Sequence, residues 1–357
     1  MNPEVFVQPS VILLNSDKDF MSFGDEANDK YLNSESHDII DGHHYFRNFS
    51  ILETIPNLRN CKDKRFADQK GRNVKLSKVF IETFTYLKKE ISEKAEKKFP
   101  NMSITHWILC VPPTWKKDAV EFLKSAAEQA GITTNLQVVN EHKAVLRWWF
   151  SEKGGQENKD GTFLFVDLGG GITKVYGVTS GGEWIASNDT PGIGGLSVLK
   201  EFQRYMEKVF TPEVYEDFRA NYRKDSFNLN LDIIRTIFSH ERDTTILQRS
   251  SHFEKLKKVF RHINVDKEAP NLDFQDIDDI LLKPLKQNIE EGINKAVIEL
   301  PSNGTVFVFG GASKSDILYE YVKSLLKDTS SFHVERFEHP DMAIIGGSII
   351  EGINLKK

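Results

Sequence analysis

The sequence predicts an α/β protein built from two lobes, and three observations point to this fold class. The chain has 357 residues, too many for one hydrophobic core of ordinary size. Hydrophobic residues make up 39% of it and charged residues 28%, proportions typical of globular proteins. Apolar runs of strand length alternate with amphipathic helical segments, which favours helices layered on sheets. We therefore expect two lobes with a cleft between them.

Charge and cysteine usage narrow the class of protein. The net charge of −5 gives no general electrostatic reason to bind nucleic acid or an anionic membrane. The two cysteines, Cys61 and Cys110, lie in unrelated contexts, which favours free thiols in a reducing compartment over a disulfide. No apolar run approaches the roughly 20 residues that span a bilayer. We expect a cytoplasmic protein that binds neither nucleic acid nor membrane.

The first lobe is expected to cover residues 1–155. A strand is predicted at 11–14, where four apolar residues follow one another, and a second short apolar piece stands at 20–23. Residues 25–71 are polar and show no period, so we assign no element there. Apolar residues then recur at steps of four and three from Leu76, which predicts a long amphipathic helix. The pattern next predicts a strand at 107–111, a helix at 116–131 capped by Gly131, a strand at 136–139 and a helix through Trp149.

The second lobe is expected to cover residues 156–340, after a linker rich in glycine and lysine. It opens with an apolar strand at 163–166, and a glycine turn leads into a returning strand at 172–178. A mostly helical subdomain is predicted at about 211–300. The elements predicted around it are a strand at 184–186, a strand at 305–309, a helix at 313–326, a strand at 332–335 and a closing helix at 341–357 that returns towards the first lobe.

The segment Asp167-Leu168-Gly169-Gly170-Gly171 is the first candidate for chemistry. A strand of the buried type ends in a carboxylate and reverses through three glycines into another strand. Glycines permit positive φ and let an anion approach backbone N–H groups, which together form a concave anion site. An aspartate at the strand end can hold a hydrated cation beside that anion. The same string also fits a glycine-rich hairpin without a ligand, and the local sequence does not decide between the two.

Three further double-glycine turns strengthen the phosphate interpretation. They stand at 192–195, 309–312 and 345–348, and the second follows a strand and opens a helix, where free N–H groups suit a nucleotide. A P-loop enzyme is excluded because no Gly-x-x-x-x-Gly-Lys-Ser/Thr loop occurs, and no Gly-x-Gly-x-x-Gly follows a strand. The histidines show no zinc spacing, so His43 and His44 are interpreted as surface residues.

A set of motifs in a fixed order carries a resemblance to a known family. The motifs are 107–116, Ala126-Ala127, Ala130-Gly131, Asn140-Glu141, 167–171, 192–195, Val308-Phe309-Gly310-Gly311-Ala312-Ser313-Lys314 and Gly346-Gly347-Ser348. Together they resemble the 70-kilodalton heat-shock protein family from about residue 9 to residue 352, with 211–272 aligning poorly. The string Val111-Pro112-Pro113-Thr114-Trp115-Lys116 is similar to the divergent 12A-like branch of that family.

The resemblance implies an actin-like fold of two lobes, each with a central mixed sheet flanked by helices, and ATP with Mg²⁺ in the cleft. By position, Asp167 would lie near Mg²⁺ through a water molecule, and Glu141 would help to order that shell. The residues implied to hold phosphate are Gly169, Gly170, Gly171, Gly194 and Gly195, and those implied to line the nucleoside are Gly310, Gly311, Ala312 and Lys314. The helix implied to face adenine matches Lys257 and Lys258, although Ser239 and Arg242 align almost as well.

The chain departs from the family at the phosphate site. The family's first phosphate hairpin and its supporting lysine are not found, and the region 46–51 offers only Arg47 as a cation. After the triple glycine, Ile172 stands where relatives carry threonine, and Lys174 stands where they carry aspartate. Lys174 is interpreted either as a solvent-facing strand residue or as a partial replacement for Mg²⁺. Efficient hydrolysis is not expected, because phosphoryl transfer rests on positioning and charge neutralisation.

Three functions are compatible with these residues. The first is an ATP-binding, chaperone-related protein without a substrate-binding domain, whose ATPase activity is weak or absent and whose protein partner or client the sequence does not identify. Its ligands would be ATP or ADP and Mg²⁺, both conditional on a functional cleft. The second is a nucleotide-independent interaction module, a pseudo-ATPase that keeps the fold. The third and least favoured is a small-molecule kinase of the same superfamily, for which no acceptor-site signature is found.

Overall fold

The chain forms two units in the computed structural model. Unit 1 comprises Met1–Gln156 and Met342–Lys357, and unit 2 comprises Glu157–Asp341. The structure describes residues 8–34, 42–49, 64–101, 103–152, 161–179, 184–190, 193–238, 249–264, 267–270, 277–300, 303–327 and 332–354. Cys61, Gly192, Ser239 and Arg242 lie outside these ranges.

Strands and helices alternate along the chain. The strands are β1 (Val11–Leu14), β2 (Phe20–Phe23), β3 (His44–Arg47), β4 (Arg65–Ala67), β5 (Asn73–Lys75), β6 (Trp107–Val111), β7 (Leu136–Asn140), β8 (Phe163–Leu168), β9 (Thr173–Val178), β10 (Trp184–Thr190), β11 (Gly304–Phe309) and β12 (Phe332–Arg336). The helices are α1 (Gly24–Leu32), α2 (Leu76–Lys98), α3 (Lys117–Gln129), α4 (Glu141–Glu152), α5 (Ser197–Phe210), α6 (Pro212–Asn221), α7 (Arg223–Ile237), α8 (Ser251–Ile263), α9 (Ile277–Glu299), α10 (Asp316–Leu326) and α11 (Ala343–Asn354). Within the described ranges, no helix has the length and apolar character needed to cross a bilayer.

The described part of unit 1 carries three small sheets. Strands β2, β1 and β3 pair antiparallel in that order, β4 pairs with β5, and β6 runs parallel to β7. Strand β1 is buried along its whole length and packs against α2, whose Val79 and Phe80 are buried. Helix α3 ends as predicted, because Gly131 follows it with φ +82°, a conformation that glycine adopts without strain. The predicted strands at 11–14 and 107–111 are confirmed.

The segment 25–71, in which no element is predicted from the sequence, holds most of α1 and all of β3 and β4, and β5 follows it directly. Strands β4 and β5 have three residues each, too few to show a period. The surface assignment of His44 is wrong: its Nδ1 lies 2.9 Å from Oδ2 of Asp68, and both side chains are buried. Asp68 also accepts a hydrogen bond of 2.8 Å from Nε of Arg72. A histidine can be buried where a carboxylate satisfies it, and spacing along the sequence does not reveal that partner.

Helix α11 packs tightly against α4 in unit 1. Gly346 and Gly347 lie inside α11, which agrees with the closing helix predicted at 341–357 and not with a turn at 345–348. A β-carbon on Gly346 would meet the ring of Trp148, and one on Gly347 would meet the backbone of Ala144. These two glycines are therefore explained by close helix–helix approach rather than by chain reversal.

A five-stranded sheet of order β10-β9-β8-β11-β12 forms the centre of unit 2. Strand β8 runs antiparallel to β9 and parallel to β11, and every residue of β8 and β9 is buried. Because β8 and β11 are parallel and in register, Asp167 at the end of one lies opposite Phe309 at the end of the other. The sheet thus brings the chain segments that follow β8 and β11 to the same edge.

The helix predicted at 313–326 is divided in the structure. Residues Gly311–Lys314 form one turn of 3₁₀ helix, Ser315 is extended, and α10 begins at Asp316. The hydroxyl of Ser313 donates to the carbonyl of Gly310 at 2.7 Å, which holds the short turn at the end of β11. The site segment therefore ends in a tight turn before the helix starts.

Candidate functional site

Two of the glycine turns of unit 2 are joined by backbone hydrogen bonds. The turn after β8 carries Gly169 and Gly170, and the turn before α5 carries Gly194 and Gly195. The N–H of Gly195 donates to the carbonyl of Gly169 at 2.9 Å, and the N–H of Leu196 donates to the carbonyl of Gly170 at 2.6 Å. A third bond of 2.6 Å runs from the N–H of Thr173 to the carbonyl of Ile193. The triple-glycine turn is thereby fixed on the start of α5.

The third glycine turn, at the end of β11, lies against the same structure. Gly310 has φ +92°, and its N–H donates to the carbonyl of Pro340 at 2.9 Å. The β-carbon of Ala312 lies 3.5 Å from the position that a β-carbon on Gly195 would take. The structure therefore brings together the glycines predicted for phosphate and those predicted for the nucleoside.

Five glycines of these turns fall into two groups. A β-carbon on Gly194 would lie 2.6 Å from the backbone of Gly171, and one on Gly310 would lie 2.7 Å from the backbone of Leu168. A β-carbon on Gly169 would likewise meet backbone, at 2.7 Å. By contrast, a β-carbon on Gly170 or Gly311 would meet nothing within 4 Å. The first group is required by the fold itself, whereas the second leaves open space beside the backbone.

Asp167 and Lys174 form a buried ion pair at the base of the triple-glycine turn. The two residues are ladder partners on β8 and β9, and Nζ of Lys174 donates to Oδ2 of Asp167 at 2.9 Å. Their side chains are only 6% and 9% exposed. The solvent-facing interpretation of Lys174 is therefore wrong, and its ammonium is a counter-charge to the carboxylate. A buried lysine needs such a partner, because an unpaired charge is costly to remove from water.

The residues at this position fit Mg²⁺ poorly. One oxygen of Asp167 bonds Lys174, and the other, Oδ1, lies 2.7 Å from the position of a β-carbon on Gly310. Two unit charges 4 Å apart repel by about 4 kcal/mol at an effective dielectric constant of about 20, so a divalent ion at that distance from the ammonium would meet roughly 8 kcal/mol. Among the residues that the structure describes, no group of three or more His, Cys, Asp or Glu side chains could hold a metal ion.

The predicted cationic residues of unit 2 are placed in separate elements. Lys314 lies in the 3₁₀ turn, where its Nζ is 2.7 Å from Oδ2 of Asp341. Lys257 lies on α8 and pairs with Glu254 at 2.8 Å, and Lys258 beside it is exposed. Helix α8 packs against α6 and α7, whereas the glycine turns belong to β8, β11 and the start of α5.

Glu141 belongs to unit 1, where it is the first residue of α4. His142, which follows it, is 5% exposed. Burial lowers the pKa of His142 from 6.5 to about 4, and the nearby charge of Lys143 adds to this shift. This histidine is therefore neutral in the folded protein at neutral pH.

Acidification is expected to destabilise the protein through His142. The unfolded chain takes up a proton near pH 6.5, but the folded protein does so only near pH 4. Because the unfolded state binds more protons between these values, stability falls as the pH is lowered through this window, by roughly 3 kcal/mol at 1.36 kcal/mol per pKa unit. Urea unfolding from pH 7 to pH 4 measures the change. The His142→Gln variant should show a flatter profile, and an unchanged profile would contradict the assignment.

A buried hydroxyl that is not evident from the sequence lies beside the ion pair. Thr173 is fully buried, and its Oγ1 has no hydrogen-bond partner among the described residues. The residue looks like an ordinary strand threonine in the sequence. The feature of the sequence that could have identified it is its position, because Thr173 is the first residue of β9 after the triple glycine.

The sequence comparisons find similarity to heat-shock and chaperone proteins. The chain is 32% identical over 131 residues to heat shock 70 kDa protein 12A of Homo sapiens, a match covering 35% of this chain and 19% of that protein. It is 24% identical over 253 residues to the chaperone protein DnaK of Deinococcus proteolyticus, covering 70% of this chain and 38% of that protein. These matches span about a fifth and two fifths of the relatives' own lengths. No family model matches the chain.

The similarity to solved structures concerns the whole chain. The crystal structure of MreB5 of Spiroplasma citri bound to ADP superposes with a TM-score of 0.53 at 15% sequence identity. It covers 99% of this chain and 91% of MreB5. At this identity the match establishes the fold, which is the actin-like two-lobed α/β class predicted from the sequence. The chain is thus similar in part of its sequence to heat shock 70 kDa protein 12A and to DnaK, and its fold is of the actin-like class.

Proposed function

We propose that this chain binds an adenine nucleotide, ATP or ADP, at the three glycine turns of unit 2, and that it hydrolyses ATP weakly or not at all. One observation carries the proposal: Gly170 and Gly311 leave open space in turns where Gly169 and Gly310 are packed tightly against backbone. Exposed backbone beside open space is what a phosphate needs to reach N–H groups. The ADP-bound MreB5, which shares the fold, supports the same ligand class.

The expected weakness of hydrolysis follows from the charges at the turn. Phosphoryl transfer depends on cations and donors that stabilise charge on the transferred group. Asp167 is already neutralised by Lys174, so its carboxylate is not available to hold a hydrated metal. Losing a single preorganised donor costs about 3–4 kcal/mol of transition-state stabilisation in well-studied enzymes. On this basis we propose a chaperone-related nucleotide-binding protein of the cytoplasm, with a protein partner or client still to be identified, and without efficient turnover.

Replacing Gly170 with glutamate tests the binding site. Gly170 is exposed and has open space, so the Gly170→Glu side chain should fit without unfolding the turn. Its carboxylate would occupy and repel the phosphate, so we expect ADP affinity to fall by about 100-fold or more, equivalent to roughly 3 kcal/mol. Isothermal titration of ADP into the purified chain measures it. Ser324→Glu on the exposed face of α10 adds the same charge elsewhere and should leave affinity unchanged.

The second candidate is an interaction module that keeps the fold and binds no nucleotide. The observation that favours it is the set of bonds within the turns, since the N–H groups of Thr173, Gly195 and Leu196 all donate to neighbouring carbonyls. Those groups are then unavailable to phosphate. An absence of any calorimetric signal with ADP and ATP in the wild-type chain would favour this module over nucleotide binding. Once a partner is known, partner binding should be unchanged by Gly170→Glu.

A further inference from the structure

We infer that Lys174 is a built-in counter-cation for Asp167, so that unit 2 binds nucleoside di- and triphosphates without a divalent cation. The inference rests on the nucleotide binding proposed above and specifies what that site requires. It concerns metal dependence, which can be measured by binding alone.

The ion pair is a fixed part of the sheet. Asp167 and Lys174 face each other in the β8–β9 ladder, with Nζ 2.9 Å from Oδ2, and neither side chain is more than 9% exposed. Separating them would leave a charge buried without its partner, which is strongly unfavourable. A metal ion arriving with a nucleotide would have to displace an ammonium that the fold holds in place.

The pair also sets the charge that a phosphate meets. Between Asp167 and Lys174 the chain passes through the triple-glycine turn, and Oδ1 of Asp167 lies 3.6 Å from the position that a β-carbon on Gly169 would take. An unpaired carboxylate there would repel the phosphate, and a divalent cation would be needed between the two anions. The ammonium already removes that negative charge, because the pair is neutral overall. The turn then presents backbone dipoles and no net charge from this pair.

The turn itself does not depend on a ligand for its shape. Its carbonyls at Gly169 and Gly170 accept hydrogen bonds from Gly195 and Leu196 at 2.9 and 2.6 Å. The open side of the turn at Gly170 is therefore preformed, with its base neutralised by Lys174. This chain's own residues therefore supply both the open turn and the neutral base that a phosphate needs.

Four proteins form a charge series that tests the inference. The wild type and the double variant Asp167→Asn with Lys174→Gln have a neutral pair, Lys174→Gln alone leaves one negative charge, and Asp167→Asn alone leaves one positive charge. Each full-length protein is titrated with ADP in EDTA and again with saturating Mg²⁺. Lys323→Gln, which removes an exposed lysine paired with Glu320 on α10, is the matched control.

We expect Mg²⁺ to change the ADP affinity of only one protein in the series, Lys174→Gln. The wild type, the double variant and Lys323→Gln should bind ADP equally with and without Mg²⁺, within about twofold. Lys174→Gln should bind about tenfold more weakly in EDTA and recover with Mg²⁺, because repulsion from Asp167 is then screened by the metal. Asp167→Asn should bind at least as tightly as the wild type in EDTA.

The outcomes separate this inference from the proposed function. A wild type whose affinity rises about tenfold or more with Mg²⁺ overturns the inference and leaves nucleotide binding standing. A Lys174→Gln variant that is folded and indifferent to Mg²⁺ also overturns it. If Lys174→Gln does not fold, the double variant and Asp167→Asn still test the inference. Both must bind ADP in EDTA, and failure of either folded variant to do so overturns it. Absence of ADP binding by every protein under both conditions refutes the proposed function, and the inference falls with it.

Discussion

Replacing Lys174 with methionine is expected to lower the free energy of unfolding by about 3–5 kcal/mol. The methionine side chain fills nearly the same volume but leaves the carboxylate of Asp167 buried without its cation. Removing one partner of a buried ion pair is costly for this reason, whereas removing both is often tolerated. Chemical denaturation of the purified chain measures the loss.

Two comparisons make this result specific to the buried pair. Adding Asp167→Asn to Lys174→Met should recover about half or more of the lost stability, because the remaining group is neutral. Lys323→Met removes a lysine that is 44% exposed and paired with Glu320, so it should cost less than about 1 kcal/mol. Equal losses for Lys174→Met and Lys323→Met would show that the ion pair is not buried as described.

The sequence predicted the regular elements well where they are long or strongly apolar. The strand that became β8 consists of consecutive apolar residues, and α2 repeats apolar residues every three or four positions over 23 residues. Both signals are local and need no knowledge of tertiary contacts. Strand β3 was missed because its residues are buried through contacts with distant parts of the chain: Tyr45 donates to Oδ1 of Asn28, and Nδ1 of His44 lies 2.9 Å from Oδ2 of Asp68. Burial of that kind depends on long-range pairing, which the local pattern does not contain.

The candidate site was predicted only in part, and the missing part is electrostatic. The glycine turns were identified from their spacing, and the parallel register of β8 and β11 explains why they meet. The role of Lys174 depends on its strand partner, since a lysine opposite an aspartate on two buried strands must pair with it. That inference needs both the register and the burial of β9, and sequence alone supplied neither. The resemblance to relatives that carry aspartate at position 174 indicated that the charge is reversed there, but it did not indicate which residue pairs with the lysine.

The division of the glycines into two groups has a similar origin. Spacing identifies Gly310 and Gly311 as one motif, although the structure gives the two residues opposite surroundings. Gly310 is at φ +92° with backbone 2.7 Å from its potential β-carbon, and Gly311 has neither restriction. A single double-glycine motif can thus combine a residue required for packing with a residue that leaves space for a ligand.

Replacing Gly310 with alanine is therefore expected to destabilise the protein strongly, by about 2–5 kcal/mol. The positive φ costs an alanine roughly 1–2 kcal/mol, and forcing a methyl group against the backbone of Leu168 and Oδ1 of Asp167 adds typically 1–3 kcal/mol. Neither neighbour can move freely, because Leu168 is paired with Thr173 at the end of the central strand β8 and Asp167 is held by Lys174. Gly311→Ala is the matched control one residue away, and it should change stability by less than about 1 kcal/mol because its β-carbon meets open space. Denaturant unfolding of the two variants compares them directly, and equal losses would mean that the tight approach of β11 to the end of β8 does not stabilise unit 2.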